Sequence, residues 1–271
     1  MKKLFALLLA VLMLVTVFAG CENKDTSSEA DAKKPTIVVG YTIYEPMNYK
    51  DENGKLIGFD TDLAVAVFEN LGYDVLFQEI VWENKYTDLN GGTIDCIWNG
   101  FTANSADDDG IARSEKVDFS YNYMENRQVV VVKKDSGIKT AADLNGKLGS
   151  GESGSAGETY AKGFKGTTFK GFTKQTDCLF EVKSGTVDFA VLDAQLANSY
   201  CGKGDYENLM VVEALTSDVE YYAIGFKKGS ELTAKVNAQL EALAKDGTLD
   251  NLGKKYPKVA NSIIKDFADQ K

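Results

Sequence analysis

The sequence contains no histidine, and this absence removes a large group of catalytic and metal-binding chemistries. Ser-His-Asp and Cys-His triads, histidine general bases and His-ligated zinc sites all need an imidazole ring. Catalysis by this chain would have to use carboxylates, lysine, tyrosine or cysteine. The composition therefore favours a binding protein over most classes of enzyme.

Positive charge and cysteine are also scarce. Lys and Arg total 30 against 40 Asp and Glu, which gives a formal charge of −10. A chain this acidic lacks the electrostatic footprint of a nucleic-acid binder, so we expect no nucleic-acid partner. Beyond Cys21, only Cys96, Cys178 and Cys201 are present, with no metal-ligand spacing. Buried free thiols are the simplest interpretation, a Cys178–Cys201 bridge is the alternative, and no metal or cofactor is expected.

The N-terminus carries the pattern of an export signal. Lys2 and Lys3 precede an apolar run, 4–19, that is shorter than the roughly 20 residues needed to span a bilayer. Small residues before Cys21 resemble the bacterial lipobox, in which the signal is cut and the cysteine carries lipid. We therefore predict a lipoprotein signal peptide at 1–20 and lipidation of Cys21, with a plain secretory signal as the alternative. The polar segment 21–34 cannot bury enough surface to order itself and is predicted to be a tether.

Alternating strand and helix patterns run through the chain from Pro35 onwards. Strands are predicted at 36–40, 74–81, 94–98, 128–133, 187–192 and 221–226. Helices are predicted at 63–71 after a capping Asp60, at 86–89, around Cys178 and Val182, and at 231–245, with a helical turn at 141–144. The Gly/Ser-rich run 149–157 is predicted to be a loop that opens a helix. The first β-α-β-α-β series is typical of a mostly parallel sheet, and the second series indicates a second α/β lobe.

A set of short motifs resembles one family, the extracytoplasmic solute-binding proteins of polar amino-acid ABC transporters. The motifs are Gly58-Phe59-Asp60-Thr61-Asp62-Leu63-Ala64, Gly92-Thr93-Ile94-Asp95, Gly100-Phe101-Thr102, Val117-Asp118-Phe119-Ser120, Ser184-Gly185-Thr186-Val187-Asp188 and Ala244-Lys245-Asp246-Gly247-Thr248. Each motif is weak alone, but their order and spacing cover the chain from Pro35 to about Tyr256.

The resemblance implies an α/β fold of the two-lobed, type II periplasmic-binding-protein kind, with ligand held in the cleft between the lobes. Lobe 1 would comprise 35–127 and 221–271, and lobe 2 would comprise 128–220. Two strands would form the hinge, at crossings near 126–128 and 220–222. We expect a monomer that reaches the membrane through lipid on Cys21 and delivers its ligand to the permease subunits of an ABC transporter.

The resemblance also indicates which residues hold the two charges of an amino acid. Arg113 is the candidate for the carboxylate, because its planar fork donates two parallel hydrogen bonds. Arg113 keeps the family's spacing to Val117-Asp118 but follows a segment, 103–112, that is longer than usual. This segment carries the acidic run Asp107–Asp109, for which calcium binding is an alternative role, while Arg113 could instead be exposed on the extended loop.

Further candidates complete the site. Gly154 and Ser155 at a helix start would supply backbone N–H groups to the carboxylate, unless Ser155 is a simple N-cap. Asp193, at the end of a strand, would bind the ammonium with the Gly100 carbonyl and Thr102 as companions, unless it only caps the next helix. For the ligand side chain the family's pattern points to Tyr44 and Trp82, which could otherwise belong to the core. Glu45 stands where many relatives carry an apolar residue, and it could pair a cation or lie in solvent.

The sequence leaves the identity of the amino acid open: cationic, cystine, glutamine and other polar ligands all fit. A same-fold enzyme resembling cyclohexadienyl dehydratase, with Glu152 as general acid, is one alternative function. An amino-acid sensor that signals through a membrane partner is another. No second acid–base group accompanies Glu152 in the sequence pattern, so the chain is predicted not to be an enzyme.

Overall fold

The computed structural model describes residues 33–271, which form two five-stranded sheets covered by helices. The strands are β1 Thr36–Tyr41, β2 Tyr49–Lys50, β3 Leu56–Ile57, β4 Asp74–Glu79, β5 Cys96–Ile97, β6 Asp118–Phe119, β7 Met124–Asn126, β8 Gln128–Lys133, β9 Leu148–Glu152, β10 Thr168–Phe172, β11 Phe189–Asp193, β12 Leu209–Thr216, β13 Glu220–Tyr222 and β14 Gly225–Phe226. The helices are α1 Phe59–Asn70, α2 Lys85–Gly91, α3 Arg113–Lys116, α4 Ala156–Lys162, α5 Gln175–Ser184, α6 Ala194–Tyr200, α7 Leu232–Lys245 and α8 Thr248–Lys255. The predictions for 1–20, for Cys21 and for most of the tether 21–34 concern residues outside the described range.

The two sheets have the same construction. The first sheet has the order β4-β1-β5-β14-β6, and the second has the order β10-β9-β11-β8-β12. In each sheet two strand pairs are parallel and two are antiparallel. The three strands of the first predicted series, β4, β1 and β5, pair in parallel as expected, but each complete sheet is mixed because β14 and β8 run against their neighbouring strands.

The chain passes from the first sheet to the second and back through two adjacent segments. β7 leads into β8 at Arg127, and β13 returns the chain to β14. β7 and β13 pair antiparallel, with Glu220 opposite Asn126 and Tyr222 opposite Met124. Because both passages lie side by side, relative movement of the two lobes can be concentrated at this two-stranded ribbon.

Hydrophobic periodicity explains most of these elements. α1 buries Phe59, Leu63 and Val67 on one face, at the spacing from which the helix was predicted. β8 is a valine-rich interior strand of the second sheet, and four consecutive valines, 129–132, are buried there on both faces. The predicted helix at 231–245 forms as α7, with Val236, Leu240 and Leu243 buried.

The Gly/Ser-rich run was wrongly predicted to be entirely a loop. Its first part is strand β9, an interior strand of the second sheet between β10 and β11. Glycine is needed at position 149 because a Cβ there would lie 2.3 Å from the Phe189 ring. The large aromatic side chain of β11 thus occupies the space that a side chain of β9 would fill, and the strand lacks the usual β-branched pattern.

The three cysteines within residues 33–271 are free thiols. Cys96 and Cys178 are buried and Cys201 is partly exposed, and none of the three forms a disulfide. The alternative of a Cys178–Cys201 bridge is therefore wrong. None of the helices within 33–271 is long and apolar enough to cross a membrane.

Candidate functional site

A narrow cavity lies between the two sheets. Its lining residues are Trp82, Asn99, Gly100, Thr102, Arg113, Glu152, Ser155, Ala156, Gln175 and Asp193. Six of them, Trp82, Gly100, Thr102, Arg113, Ser155 and Asp193, were candidate ligand-binding residues in the sequence. The structure therefore brings together most of the residues that the motifs singled out.

Arg113 reaches this cavity despite the long segment before it. It begins helix α3, and its side chain is only 1% exposed. Its Nε donates to Asp107 Oδ1 over 2.8 Å, one terminal nitrogen donates to the Thr102 carbonyl over 3.2 Å, and the other donates to the Gly154 carbonyl over 3.3 Å. The Phe101 ring lies 5.3 Å from the guanidinium carbon. An exposed Arg113 on a loop is thus excluded by the geometry.

The acidic run of the long segment separates into three different contacts. Asp107 binds Arg113 and Lys116, Asp108 binds Thr159 and Lys162 on α4, and Asp109 binds Lys116. Within 33–271 no cluster of three or more acidic or cysteine side chains has the arrangement of a metal site. The carboxylates are committed to cationic side chains, which leaves no support for the calcium alternative.

The start of helix α4 faces Arg113 across the cavity. Ser155 is the N-cap, and its Oγ accepts from the Glu158 N–H over 3.1 Å. Gly154 has a φ of 75°, a left-handed conformation that favours glycine, and its N–H is taken by the Glu158 carboxylate. Ser155 therefore caps the helix and lines the cavity at once, while Gly154 presents its carbonyl, rather than its N–H, to the cationic side chains opposite.

Asp193 is the last residue of β11, as predicted, and its carboxylate lies in a cradle of amides. Asn126 donates to Oδ1 over 2.7 Å and Gln128 over 2.6 Å, while Gln175 donates to Oδ2. Asp193 occupies the N-cap position of α6 but makes no side-chain capping bond. Burial raises the pKa of Asp193, and the hydrogen bonds from these amides oppose that shift. The carboxylate is held toward the cavity and not toward the following helix.

Two of these three amides also connect Asp193 to the two-stranded ribbon formed by β7 and β13. Asn126 and Gln128 also donate to Glu220 Oε1, over 2.6 and 2.7 Å. Burial, followed by the neighbouring Asp193 charge, raises the pKa of Glu220 to about 7. A charged group that binds at Asp193 would therefore change the electrostatic environment of Glu220 on β13, where the chain crosses between lobes.

Trp82 forms part of the wall on the first-sheet side. It is 4% exposed and packs edge-to-face on Phe101, with ring centroids 5.4 Å apart. Lys85 lies behind it, with Nζ 5.2 Å from the Trp82 centroid and 2.9 Å from the Gly154 carbonyl that it donates to. Burial, and next the Arg113 charge, lowers the pKa of Lys85 to about 7.

Three candidates are not among the residues that line the cavity: Gly154, whose carbonyl accepts from Arg113 and Lys85, Tyr44 and Glu45. The Tyr44 ring lies behind Gly100, in the core, with its hydroxyl 2.7 Å from the Tyr222 hydroxyl. The Glu45 carboxylate pairs with Lys258 over 3.0 Å. The positions of Tyr44 and Glu45 in the sequence did not indicate which way each side chain points.

Three polar lining residues were not proposed as ligand-binding residues from the sequence. Glu152 ends strand β9, Gln175 begins helix α5, and Asn99 immediately precedes Gly100. Glu152 and Gln175 lie at the ends of a strand and a helix whose bounds were not predicted correctly from the sequence. A signal did exist for Glu152, because ligands of open α/β sheets bind at the carboxyl ends of strands.

Comparison with known proteins agrees with this geometry. Residues 37–259 match the family of bacterial extracellular solute-binding proteins, family 3. The arginine-binding extracellular protein ArtP of Bacillus subtilis is 31% identical over 263 residues, covering 94% of this chain and 98% of ArtP. The L-cystine-binding protein TcyA of the same organism is 30% identical over 266 residues, covering 92% of this chain and 96% of TcyA.

Solved structures show the same two-lobed architecture. An ancestral arginine-binding protein bound to arginine is 36% identical, with a TM-score of 0.74 over 82% of this chain and 98% of that one. The ancestral amino acid-binding protein AncCDT-1, a precursor of cyclohexadienyl dehydratase, is 33% identical, with a TM-score of 0.72 over 81% of this chain and 94% of that one. The fold is thus the two-lobed, type II form that the motifs implied, and the chain belongs to the bacterial extracellular solute-binding proteins of family 3.

Proposed function

We propose that this protein is a receptor outside the cytoplasmic membrane that binds a free amino acid between its lobes and delivers it to an ABC transporter permease. The observation that carries the proposal is the placement of Arg113 and Asp193. They are oppositely charged, almost fully buried, supplied by different lobes, and line one cavity. Relatives that bind arginine and cystine support an amino acid as the ligand class.

The two charges match the two ends of a zwitterion. Arg113 would receive the carboxylate, with help from the polar start of α4 at Ser155. Asp193 would receive the ammonium, with Thr102 and the Gly100 carbonyl as further partners. A charged ligand group left buried without a partner costs several kcal/mol, so both contacts are needed for binding.

Closure of the lobes follows from the same contacts. Arg113 and Lys85, on the first-sheet side, both donate to the Gly154 carbonyl on the second-sheet side. Lys174 and Glu79 form a further bridge between the lobes over 2.8 Å. Ligand held between Arg113 and Asp193 would add to these bridges and shift the population toward the closed form.

The export signal and Cys21 support a receptor that is retained at the cell membrane by lipid. One acyl chain binds a membrane only marginally, so retention implies at least two. Wild-type protein should partition into detergent, whereas the Cys21→Ser variant should be released. A wild-type mature N-terminus that is not a modified Cys21 would contradict the anchor without affecting the binding proposal.

A calorimetric and thermal-shift screen of the twenty amino acids plus cystine, ornithine and citrulline tests the function. At free ligand near 100 times Kd, linkage predicts stabilisation of about 2.7 kcal/mol. The chain has two arginines, which offers a matched control: Arg113→Lys should bind poorly, because an ammonium cannot reproduce the bidentate fork, whereas Arg127→Lys should bind normally. A complete panel that leaves the melting curve unchanged would overturn the proposal.

The enzyme alternative is distinguished by turnover. Glu152 places a buried carboxyl in the same cavity, which is the one observation that favours a dehydratase. Incubation with prephenate and arogenate should give no product if the protein only binds its ligand. If the wild-type protein forms product and Glu152→Gln does not, the enzyme function would be supported and the receptor function rejected.

A further inference from the structure

Glu152 is a buried carboxyl without a partner in the described chain. It ends strand β9, is 4% exposed and lines the cavity between the lobes. Within residues 33–271, none of the hydrogen bonds made by side chains and none of the ion pairs involves its carboxyl oxygens. Buried charged groups in proteins are usually paired, so an unpaired one that faces a cavity indicates a ligand.

The charged side chains around Glu152 do not supply the missing partner. Asp193 is the carboxylate that repels it most strongly, and Asp177 on α5 adds to that effect. Lys85 and Lys174 act in the opposite direction, but each is committed elsewhere. Lys85 donates to the Gly154 carbonyl over 2.9 Å, and Lys174 pairs with Glu79 over 2.8 Å.

The charges of the cavity wall show what kind of ligand would satisfy Glu152. The ionisable lining residues are Arg113, Asp193 and Glu152, which together carry one excess negative charge when all are ionised. A zwitterion neutralises Arg113 with its carboxylate and Asp193 with its ammonium. Glu152 then remains, and its complement is a third ligand charge that is positive.

We infer that Glu152 determines specificity by receiving the cationic side chain of a basic amino acid, an inference that rests on the proposed function. Trp82 lines the same cavity, and its flat face suits both the apolar stem and the cationic head of such a side chain. Glu45, which the sequence offered for this role, already pairs with Lys258 outside the cavity. The acid that binds the ligand side chain is therefore Glu152, at the end of β9, and not Glu45.

Arginine and citrulline provide the sharpest test, because they have similar size and shape and differ in side-chain charge. Calorimetry on the wild-type protein should show arginine bound at least 30-fold more tightly than citrulline, the lower end of the range for a buried charge pair. Glu152→Gln should still bind citrulline and reduce the preference for arginine to less than about 3-fold. Glu45→Gln, a matched control outside the cavity, should keep the wild-type preference.

If Glu152→Gln melts well below the wild-type protein, Glu152→Asp replaces it in the test because it keeps the charge. The Glu152→Asp variant should still prefer arginine. Equal wild-type affinity for arginine and citrulline would overturn the inference while leaving an amino-acid receptor intact. A full preference for arginine in Glu152→Gln would overturn it in the same way. Failure of the wild-type protein to bind any amino acid would instead remove the proposed function, and this inference with it.

Discussion

Asp107 accepts a hydrogen bond from Arg113 Nε over 2.8 Å, so the segment that lengthens the path to Arg113 also orients its guanidinium in the cavity. The other Asp107 oxygen accepts from Lys116 over 2.8 Å and from the Tyr86 hydroxyl over 2.7 Å. Burial alone would raise the pKa of Asp107, but the Arg113 charge and these two hydrogen bonds outweigh it and lower that pKa to about 2. Asp107 is therefore ionised over the whole physiological range.

Asp107→Asn should weaken amino-acid binding by about tenfold, because the guanidinium loses the charged partner that fixes its plane. Asp109→Asn is the matched control, since Asp109 lies in the same loop, is half-exposed and contacts Lys116 but not Arg113. Calorimetry on the two variants provides the measurement. Equal affinities for both would show that Asp107 does not act through Arg113.

The neighbouring Asp108 connects the lobes. Its carboxylate accepts from Thr159 Oγ1 over 3.1 Å and pairs with Lys162, both on helix α4 of the second-sheet side. The Asp108 and Lys162 side chains are 42% and 44% exposed, so the ion pair is screened by solvent. One loop thus carries an acid that orients the ligand-binding arginine and another that bridges to the opposite lobe.

Asp108→Asn should speed ligand dissociation by about 2- to 5-fold, the effect typical of an exposed pair, because this contact joins the two lobes. The difference from wild type should shrink at high salt, since exposed charges are screened. Asp205→Asn is a suitable control because Asp205 lies near Lys183 within one lobe. Stopped-flow dissociation rates would contradict the assignment if Asp108→Asn and Asp205→Asn behaved alike at low salt.

The parts of the fold that periodicity specifies were predicted well. β8 and α7 each bury a regular apolar face, and the predicted bounds differ from the observed ones by at most one residue. β9 could not be found in this way, because its glycines are set by the Phe189 ring on the adjacent strand, a contact between distant parts of the sequence. Local pattern does not contain that information.

The site residues also divide into those that could be predicted from the sequence and those that could not. Arg113 and Asp193 were found because charge chemistry limits the residues that can hold a zwitterion. Glu152 was weighed only as an acid for catalysis, since its strand was taken for a loop. Asp60 was expected to cap α1, but Gly58 is the N-cap and the Asp60 side chain is turned inward toward Gly100, which a helix pattern does not reveal.

Gly149→Ala should destabilise the protein by about 1–3 kcal/mol, the usual cost of overpacking a core. The added methyl would lie 2.3 Å from the Phe189 ring, which is fully buried and can move only by displacing its neighbours. Gly91→Ala is the control, because a Cβ there has no neighbour within 4 Å. Urea unfolding of both variants gives the comparison, and equal stabilities would contradict the close packing of β9 against β11.

The last prediction concerns Asp60, which is fully buried beneath Gly100. Its Oδ2 accepts from the Gly100 N–H over 2.9 Å and from the Tyr123 hydroxyl over 3.0 Å, while Oδ1 has no partner within the described chain. Burial raises the pKa of Asp60 to about 7, and these hydrogen bonds only partly oppose the shift. The folded protein therefore binds this proton more tightly than the unfolded chain does.

Stability from this group is fully present below the unfolded pKa near 4 and is lost as pH rises toward the folded pKa near 7. A shift of this size corresponds to about 4 kcal/mol at most. Glu220 and Asp193 contribute slopes of the same sign, because their pKa values are also raised, whereas the lowered pKa of Lys85 adds stability as pH rises above 7. Asp60→Asn, which cannot ionise, should therefore reduce the loss of unfolding free energy between pH 4.5 and 7.5 without abolishing it. Urea unfolding across that range provides the test, and a variant whose pH slope equals that of the wild type would show that Asp60 is ionised throughout.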